Sequence, residues 1–390
     1  MQDLISKISE ERLTELTFNL VKIPSPTGNC VEAAGYYADV LKETGLEVEI
    51  QNDLPENPNV IGRLIGDPDG PILQMDGHID AIPVEHCEPY IENETIYGRG
   101  AADMKCGLAS MVEVARVLIE AGIQLPGTLL LTCHGMHEAP AGRGEALDAL
   151  LKNGVKGDAC INVEGPWDCA PVIGKGLCIW TIRITREGEV IHENSATPDV
   201  PHPVRALNRV LNILEERNAK MAPHDLPFVG PESYFVGKIE TGDYFNRLPN
   251  LCEIVGTRRY APEKTKDDVI GEFAELKQIV EEEFGVTVEY DLLPVRDGYQ
   301  LEEDEPIVRA LRSGFKDATG EELPLGGFKS VGDVSQFVRA GVPCIYHGVY
   351  GTPHASLEFV PIAEVVRSTK VFLGTVLRYF GVEGGAHAAG

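Results

Sequence analysis

No apolar run in this chain is long enough to cross a bilayer, which argues against a membrane-spanning protein. The first stretch, MQDLISKISEERLTEL, lacks the basic start and apolar centre of a signal peptide and reads as one charged amphipathic helix. Basic residues are scarce. Lys and Arg number 34 against 61 Asp and Glu, a net charge of −27, and such a surplus disfavours nonspecific binding to nucleic acid or to an anionic membrane. The nine cysteines form no CxxC pair and their number is odd. They read as mostly buried thiols in a reducing cytoplasm, with a thiol catalyst at Cys106 or Cys133 as the lesser reading. Absent too are the HExxH of a zincin helix and the GxSxG of a serine nucleophile. GRGAADMKCG carries glycines without the GxxxxGK[ST] spacing of a phosphate loop.

What is present is the texture of an ordinary globular protein, long enough for more than one core. Short apolar runs bounded by Gly or Pro, in NPNVIGRLIG, GPILQMDGHID, PGTLLLTCHG and GDACINVEGP, read as buried strands. They alternate with helical patterns in MKCGLASMVEVARVLIEAG, closed by Gly122, and GEALDALLKNG. Such alternation predicts an α/β fold, a largely parallel sheet with helices on both faces. Near Gly176 the texture changes. LCIWTIRITREG alternates like a half-exposed strand, and the order strand, helix, strand, strand, helix, strand follows to about residue 294. A ferredoxin-like α+β domain, 176–294, is therefore expected as an insertion in an α/β domain formed by 1–175 and 295–390. Gly174 and Gly176 suit a hinge, since glycine tolerates unusual dihedrals, and the GGAHAAG tail reads as disordered.

Five candidate ligands fall just past predicted strands or in Gly/Pro-bounded loops: His78, Asp103, Glu138, Glu164 and His354. The carboxyl ends of parallel strands are where an open α/β sheet receives ligands. Each residue alone has a bland explanation; Asp103, for one, reads equally as the N-cap of the helix that follows. Together their oxygen and nitrogen donors suit two borderline divalent ions, zinc above all. Asp80, two residues after His78, starts on the same face of an extended chain and can hold the imidazole's other nitrogen.

As a set, GHIDAIP, YGRGAADMKCG, INVEGP and YGTPHASLE resemble the signatures of a zinc-dependent family. It comprises the acetylornithine deacetylases, succinyl-diaminopimelate desuccinylases, aminoacylases and glutamate carboxypeptidases. The likeness runs in order from LVKIPSPTGN to the last helix. It implies that His78 and Glu164 hold one zinc, Glu138 and His354 the other, with Asp103 bridging and Asp80 orienting His78; cobalt or manganese can stand in. It implies a metal-bound hydroxide as nucleophile on the amide of an N-acyl amino acid or small peptide. It also makes the inserted domain a lid and a dimerisation module of a homodimer. His192 matches a residue that reaches the neighbouring subunit's site to bind the oxyanion. Asn246 and Arg259 match substrate-binding positions, and a guanidinium fork suits an α-carboxylate.

One position departs from the family. Before the metal-binding Glu, where the family has a second Glu as general base, stands His137. An imidazole can accept a proton near neutral pH, so His137 is the expected base, with Glu145 and His134 as alternatives. Asp333 is expected to cap a helix. An aminopeptidase or dipeptidase on the same scaffold, or a relative that binds metal or ligand without turnover, remains the other reading.

Overall fold

The computed structural model describes residues 2–382, so the GGAHAAG tail lies outside the described residues. The chain divides into two compact units. One is Met1–Val172 with Gln300–Phe328 and Gly332–Gly390; the other is Ile173–Tyr299 with Lys329–Val331.

The first unit is built on a six-stranded sheet in the order Glu47–Gln51, Asn59–Ile65, Thr128–His134, Ile72–His78, Ala159–Asn162, Cys344–Tyr346. The last four strands run parallel, and the first two form an antiparallel edge. The strand Thr128–His134 is buried at every residue and Ile72–His78 at all but its first. Strands without polar alternation are covered on both faces, and helices supply the cover. The helix Cys106–Glu120 is buried around most of its circumference, as its nearly unbroken apolar sequence requires. The chain leaves it through Gly122 at φ +65°, a left-handed turn that glycine makes without strain. The N-terminal stretch is two helices rather than the one expected, Gln2–Ile5 and Glu10–Lys22. Ser9 divides them by accepting a hydrogen bond from the Arg12 amide at 3.2 Å, an N-cap that starts the second helix afresh. Among the described residues no helix is long and apolar enough to cross a membrane.

The second unit carries a four-stranded antiparallel sheet in the order Ser233–Thr241, Leu251–Tyr260, Gly176–Thr185, Thr287–Arg296. With the helices Pro203–Met221 and Lys266–Phe284 it follows the βαββαβ order of ferredoxin-like folds. Every second residue of Trp180–Ile184 faces a core shared with Val210, Phe273 and Leu276. Gly174 and Gly176 are not glycine for the reason expected. Neither has a positive φ. A Cβ at Gly174 would stand 2.5 Å from the Tyr299 ring, and one at Gly176 would stand 2.3 Å from the Tyr260 ring. Close packing on tyrosine faces, rather than dihedral freedom, excludes a side chain there.

Candidate metal centre

The parallel strands deliver their carboxyl ends to one place. His78 is the last residue of Ile72–His78 and is fully buried. Its Nδ1 lies 2.9 Å from the Asp80 carbonyl oxygen and 3.5 Å from Asp80 Oδ1. A carbonyl can only accept, so Nδ1 carries a proton and donates there, while Nε2 faces outward. There it meets Asp103 Oδ1 at 3.0 Å and Glu164 Oε2 at 3.8 Å. Asp103 Oδ2 in turn lies 3.2 Å from His354 Nε2, which is also 3.0 Å from Glu138 Oε1. All five ligands expected from the sequence thus gather, with Asp103 presenting one oxygen to each histidine.

Asp103 occupies a tight turn, Ala101–Lys105, where its own backbone is non-helical at φ −130°. It does not cap the helix that follows; its side chain is turned to the two imidazoles. Its amide and that of Ala102 donate to Glu358 Oε1 at 3.2 and 3.0 Å, and Arg99 Nη1 holds the other Glu358 oxygen at 2.8 Å. The Asp80 carboxylate accepts the amides of His137 (3.0 Å) and Glu138 (3.1 Å), which fixes the loop that carries both. Asp80 therefore orients His78 chiefly through its main chain and spends its carboxylate on that loop. His354 sits at φ +58°, a conformation that costs a non-glycine residue and is found where surroundings impose it.

The protonation energetics favour a cation here. Hydrogen bonds to Asp103 and Glu138 push His354 up to about 10. Burial would lower His78, but Asp103 and Asp80 override it and raise its pKa. Burial pushes Glu164 up to about 7, and its Oε2 is buried with no hydrogen-bond partner among the described residues. Acceptor atoms facing one another at 3–4 Å need positive charge between them, from protons or from metal. The donor set, two imidazoles and three carboxylates, fits divalent ions of the zinc type. His78, Asp103 and Glu138 each offer an atom within 4.8 Å of the others, and so do His78, His137 and Glu164.

The remaining expected residues divide by unit. His137 lies in the first, its Nδ1 2.7 Å from Asp333 Oδ2. Asp333 stands at the N-terminus of Val334–Arg339 but makes no side-chain cap bond; its helical backbone (φ −72°, ψ −22°) turns the carboxylate elsewhere. His134 is fully buried between Asp76 (3.3 Å) and Asp333 (3.4 Å), and Glu145 is bonded to Arg143. In the second unit, His192 Nε2 and Asn246 Nδ2 meet at 3.1 Å. Arg259 has a buried Nη1 without a hydrogen-bond partner among the described residues, and burial lowers its pKa. Neighbouring Arg258, by contrast, is consumed by Glu232 and Glu272.

The sequence profile of peptidase family M20/M25/M40 matches residues 75–378. A succinyl-diaminopimelate desuccinylase of Methylobacterium radiotolerans is 25% identical over 389 residues, covering 94% of this chain and 96% of that protein. Among solved structures, the aminopeptidase PepT of Bacillus cereus aligns with a TM-score of 0.80 at 19% identity, over 96% of this chain and 99% of that one. The YXEP protein of Bacillus subtilis, a dinuclear metal-binding peptidase, aligns with a TM-score of 0.71 at 18% identity, over 94% and 97%. At these identities the structural likeness speaks for the fold.

Proposed function

The chain belongs to peptidase family M20/M25/M40, and from that premise we propose a metal-dependent amidohydrolase that cleaves the amide of an N-acyl amino acid or small peptide. The observation that carries this reading is the gathering of His78, Asp103, Glu138, Glu164 and His354 at the strand ends. One divalent ion is held by His78, Asp103 and Glu164, a second by Asp103, Glu138 and His354. We take both to be zinc on the mixed nitrogen and oxygen donors, with cobalt or manganese able to replace it. When bound, the pair supplies Lewis acidity, which lowers the pKa of water and polarises the scissile carbonyl.

The chain's own residues prepare that chemistry. The Asp80 carbonyl accepts from His78 Nδ1, which leaves Nε2 as the nitrogen presented to an ion. In the second unit, Arg259 and Asn246 bind the substrate carboxylate; the buried Nη1 of Arg259, without a hydrogen-bond partner among the described residues, supports this, since a buried donor left unmet costs free energy until an anion pairs with it. Lys175 adds positive charge nearby: burial and the Arg259 charge both lower its pKa. His192, beside Asn246, stabilises the oxyanion from a partner subunit. A homodimer is supported by the edge strand Ser233–Thr241, which exposes Phe235 (63%) and Ile239 (44%). The nine free cysteines suit a cytoplasmic setting.

The experiment is metal analysis of the purified protein together with a hydrolysis screen of N-succinyl, N-acetyl and N-formyl amino acids and dipeptides. Two ions per chain and turnover of one acyl class are expected. The absence of bound metal rejects the reading. Two ions without hydrolysis of any member select the second reading, a binding protein without turnover, for which His137 in place of a glutamate is the motive. Cleavage confined to peptides with a free amine selects an aminopeptidase or dipeptidase.

A further inference from the structure

His137 stands one residue before Glu138, where the family likeness calls for a carboxylate. Its ring lies face to face with that of His78, centroids 3.9 Å apart and planes 2° apart. Both Nε2 atoms lie equally far from one oxygen. Glu164 Oε2 is 3.8 Å from His78 Nε2 and 3.8 Å from His137 Nε2. That oxygen is buried and accepts no hydrogen bond among the described residues. Two imidazole nitrogens and a bare carboxylate oxygen therefore surround one point. In a tetrahedral zinc site with bonds of 2.0–2.1 Å, neighbouring donors stand about 3.3 Å apart; because an imidazole binds metal in its own plane, the two stacked rings tilt toward each other to close the set on an ion.

The far side of the ring gives independent support. His137 Nδ1 lies 2.7 Å from Asp333 Oδ2, and an ionised carboxylate only accepts, so the ring donates there. Asp333 is fully buried and is itself 3.4 Å from His134 Nε2. A buried carboxylate behind the imidazole, with the other nitrogen aimed at an acidic oxygen, is how metal-ligating histidines are held. His78 has the same build, with the Asp80 carbonyl behind it.

We propose that His137 is a metal ligand: with His78 and Glu164 it holds the first of the two ions, and Asp333 is the positioning residue that fixes its ring. This deepens the dinuclear reading above and rests on it. It gives the first ion an additional imidazole that the second lacks, and it occupies the Nε2 lone pair that a general base would need.

The test is zinc binding, read directly. Metal-free protein is titrated with Zn²⁺ by calorimetry, for the natural sequence, His137→Ala, Asp333→Asn and, as the marker of the other ion, His354→Ala. The natural protein takes up two equivalents. His137→Ala weakens one of them by at least about 100-fold and leaves the other within about 3-fold, and Asp333→Asn weakens the same one by roughly 10- to 100-fold. His354→Ala weakens the remaining one. Should His137→Ala not fold, the unmutated protein decides: loaded with ¹¹³Cd²⁺ and labelled with ¹⁵N-histidine, it shows cadmium–nitrogen coupling at the Nε2 atoms of His78, His137 and His354. Coupling at His78 and His354 alone overturns the proposal, as does unchanged affinity for both ions in His137→Ala and Asp333→Asn; in both cases the dinuclear reading stands. Failure of the natural protein to bind Zn²⁺ removes that reading, and this proposal with it.

Discussion

The Arg258–Glu272 pair offers a perturbation whose size follows from two separate routes. Arg258 is fully buried in the second unit. Its Nε and Nη2 each donate to Glu272 at 2.8 Å, Nη2 also donates to Glu232 at 2.6 Å, and Nη1 donates to the Arg259 carbonyl at 2.6 Å. The guanidinium lies 4.5 Å over the Tyr234 ring. Glu272→Gln keeps the shape of the side chain but removes one of two carboxylates that compensate a buried charge, and it turns an amide donor toward other donors. Breaking such a pair from one side costs roughly 3–5 kcal/mol. Linkage gives a second figure. Burial opposes ionisation of Glu272, but its bonds to Arg258 win and hold it down at about 2. A carboxylate depressed from the ordinary value of about 4.3 by some two units contributes about 3 kcal/mol. About a fifth of the side chain is exposed, and screening trims this to about 2–3 kcal/mol. Because the folded value lies below the unfolded one, this stability is fully present above about pH 4.3 and is lost as pH falls toward 2. Urea unfolding of the Trp167→Phe protein, followed by the fluorescence of Trp180 in the core of this unit, reads both effects. Glu272→Gln is expected to lose about 2–3 kcal/mol at pH 7 and about half as much at pH 3, where the parent has already lost the rest of the same contribution. Equal midpoints at pH 7, or the same loss at both pH values, refute the reasoning.

The other expectations concern the site and its supports. Asp103→Asn is expected to lower bound zinc and to reduce kcat/KM at least 1,000-fold, on the order of 4 kcal/mol, measured by metal analysis and initial rates; full metal content with ordinary turnover contradicts a bridging role. Arg259→Lys is expected to raise KM about 10- to 100-fold for substrates with a free α-carboxylate and to leave amidated substrates unaffected; equal effects on both deny the carboxylate contact. Gly348→Ala puts a Cβ 2.3 Å from the Gly165 carbonyl oxygen, backbone against backbone beside Glu164. A loss of roughly 1–3 kcal/mol in thermal unfolding is expected, and an unchanged melting curve contradicts the close approach. Phe235→Glu on the exposed edge strand is expected to convert a dimer into monomers in sedimentation velocity; a dimer that persists moves the interface elsewhere.

The fold was legible where burial is local. The unbroken apolar run TLLLTCH and the alternating LCIWTIRIT each carry their environment in their own period, so parallel core strands and a half-exposed sheet separate on sight. The candidate ligands were legible because strand ends and glycine-bounded loops mark where a sheet receives a ligand. What escaped was side-chain direction. An aspartate before a helix has two destinations, its own helix or something distant, and the chain gives no sign of which. Asp333 took the distant one, reaching a histidine 196 residues away, whereas for Asp103 the family likeness had pointed there. Glu358 closes the YGTPHASLE stretch yet received no role from the sequence, since it acts on the backbone amides of Ala102 and Asp103, and amides have no letter in the sequence. Gly174 and Gly176 were noticed for dihedral freedom alone, because a tyrosine face pressed against a glycine leaves no mark in the sequence.

Glu358 and Asp333 share a task with Asp80. The donors come from five separate segments, and each segment on its own has conformational freedom that an assembled cluster cannot keep. Asp80 removes it from the loop of His137 and Glu138 by accepting both amides. Glu358 does the same for the turn of Asp103, with Arg99 holding the carboxylate in place. Asp333, steadied by contact with His134, does it for the His137 ring. The negative charge crowded here is therefore of two kinds: Asp103, Glu138 and Glu164 face inward and create the demand for cations, while Asp80, Glu358 and Asp333 stand behind and fix where that demand is felt. Fixing the geometry before any cation arrives means that little ordering remains to be done on binding, and the His137 imidazole is one of the groups so held. Its orientation is set from behind by Asp333, independently of what it meets in front.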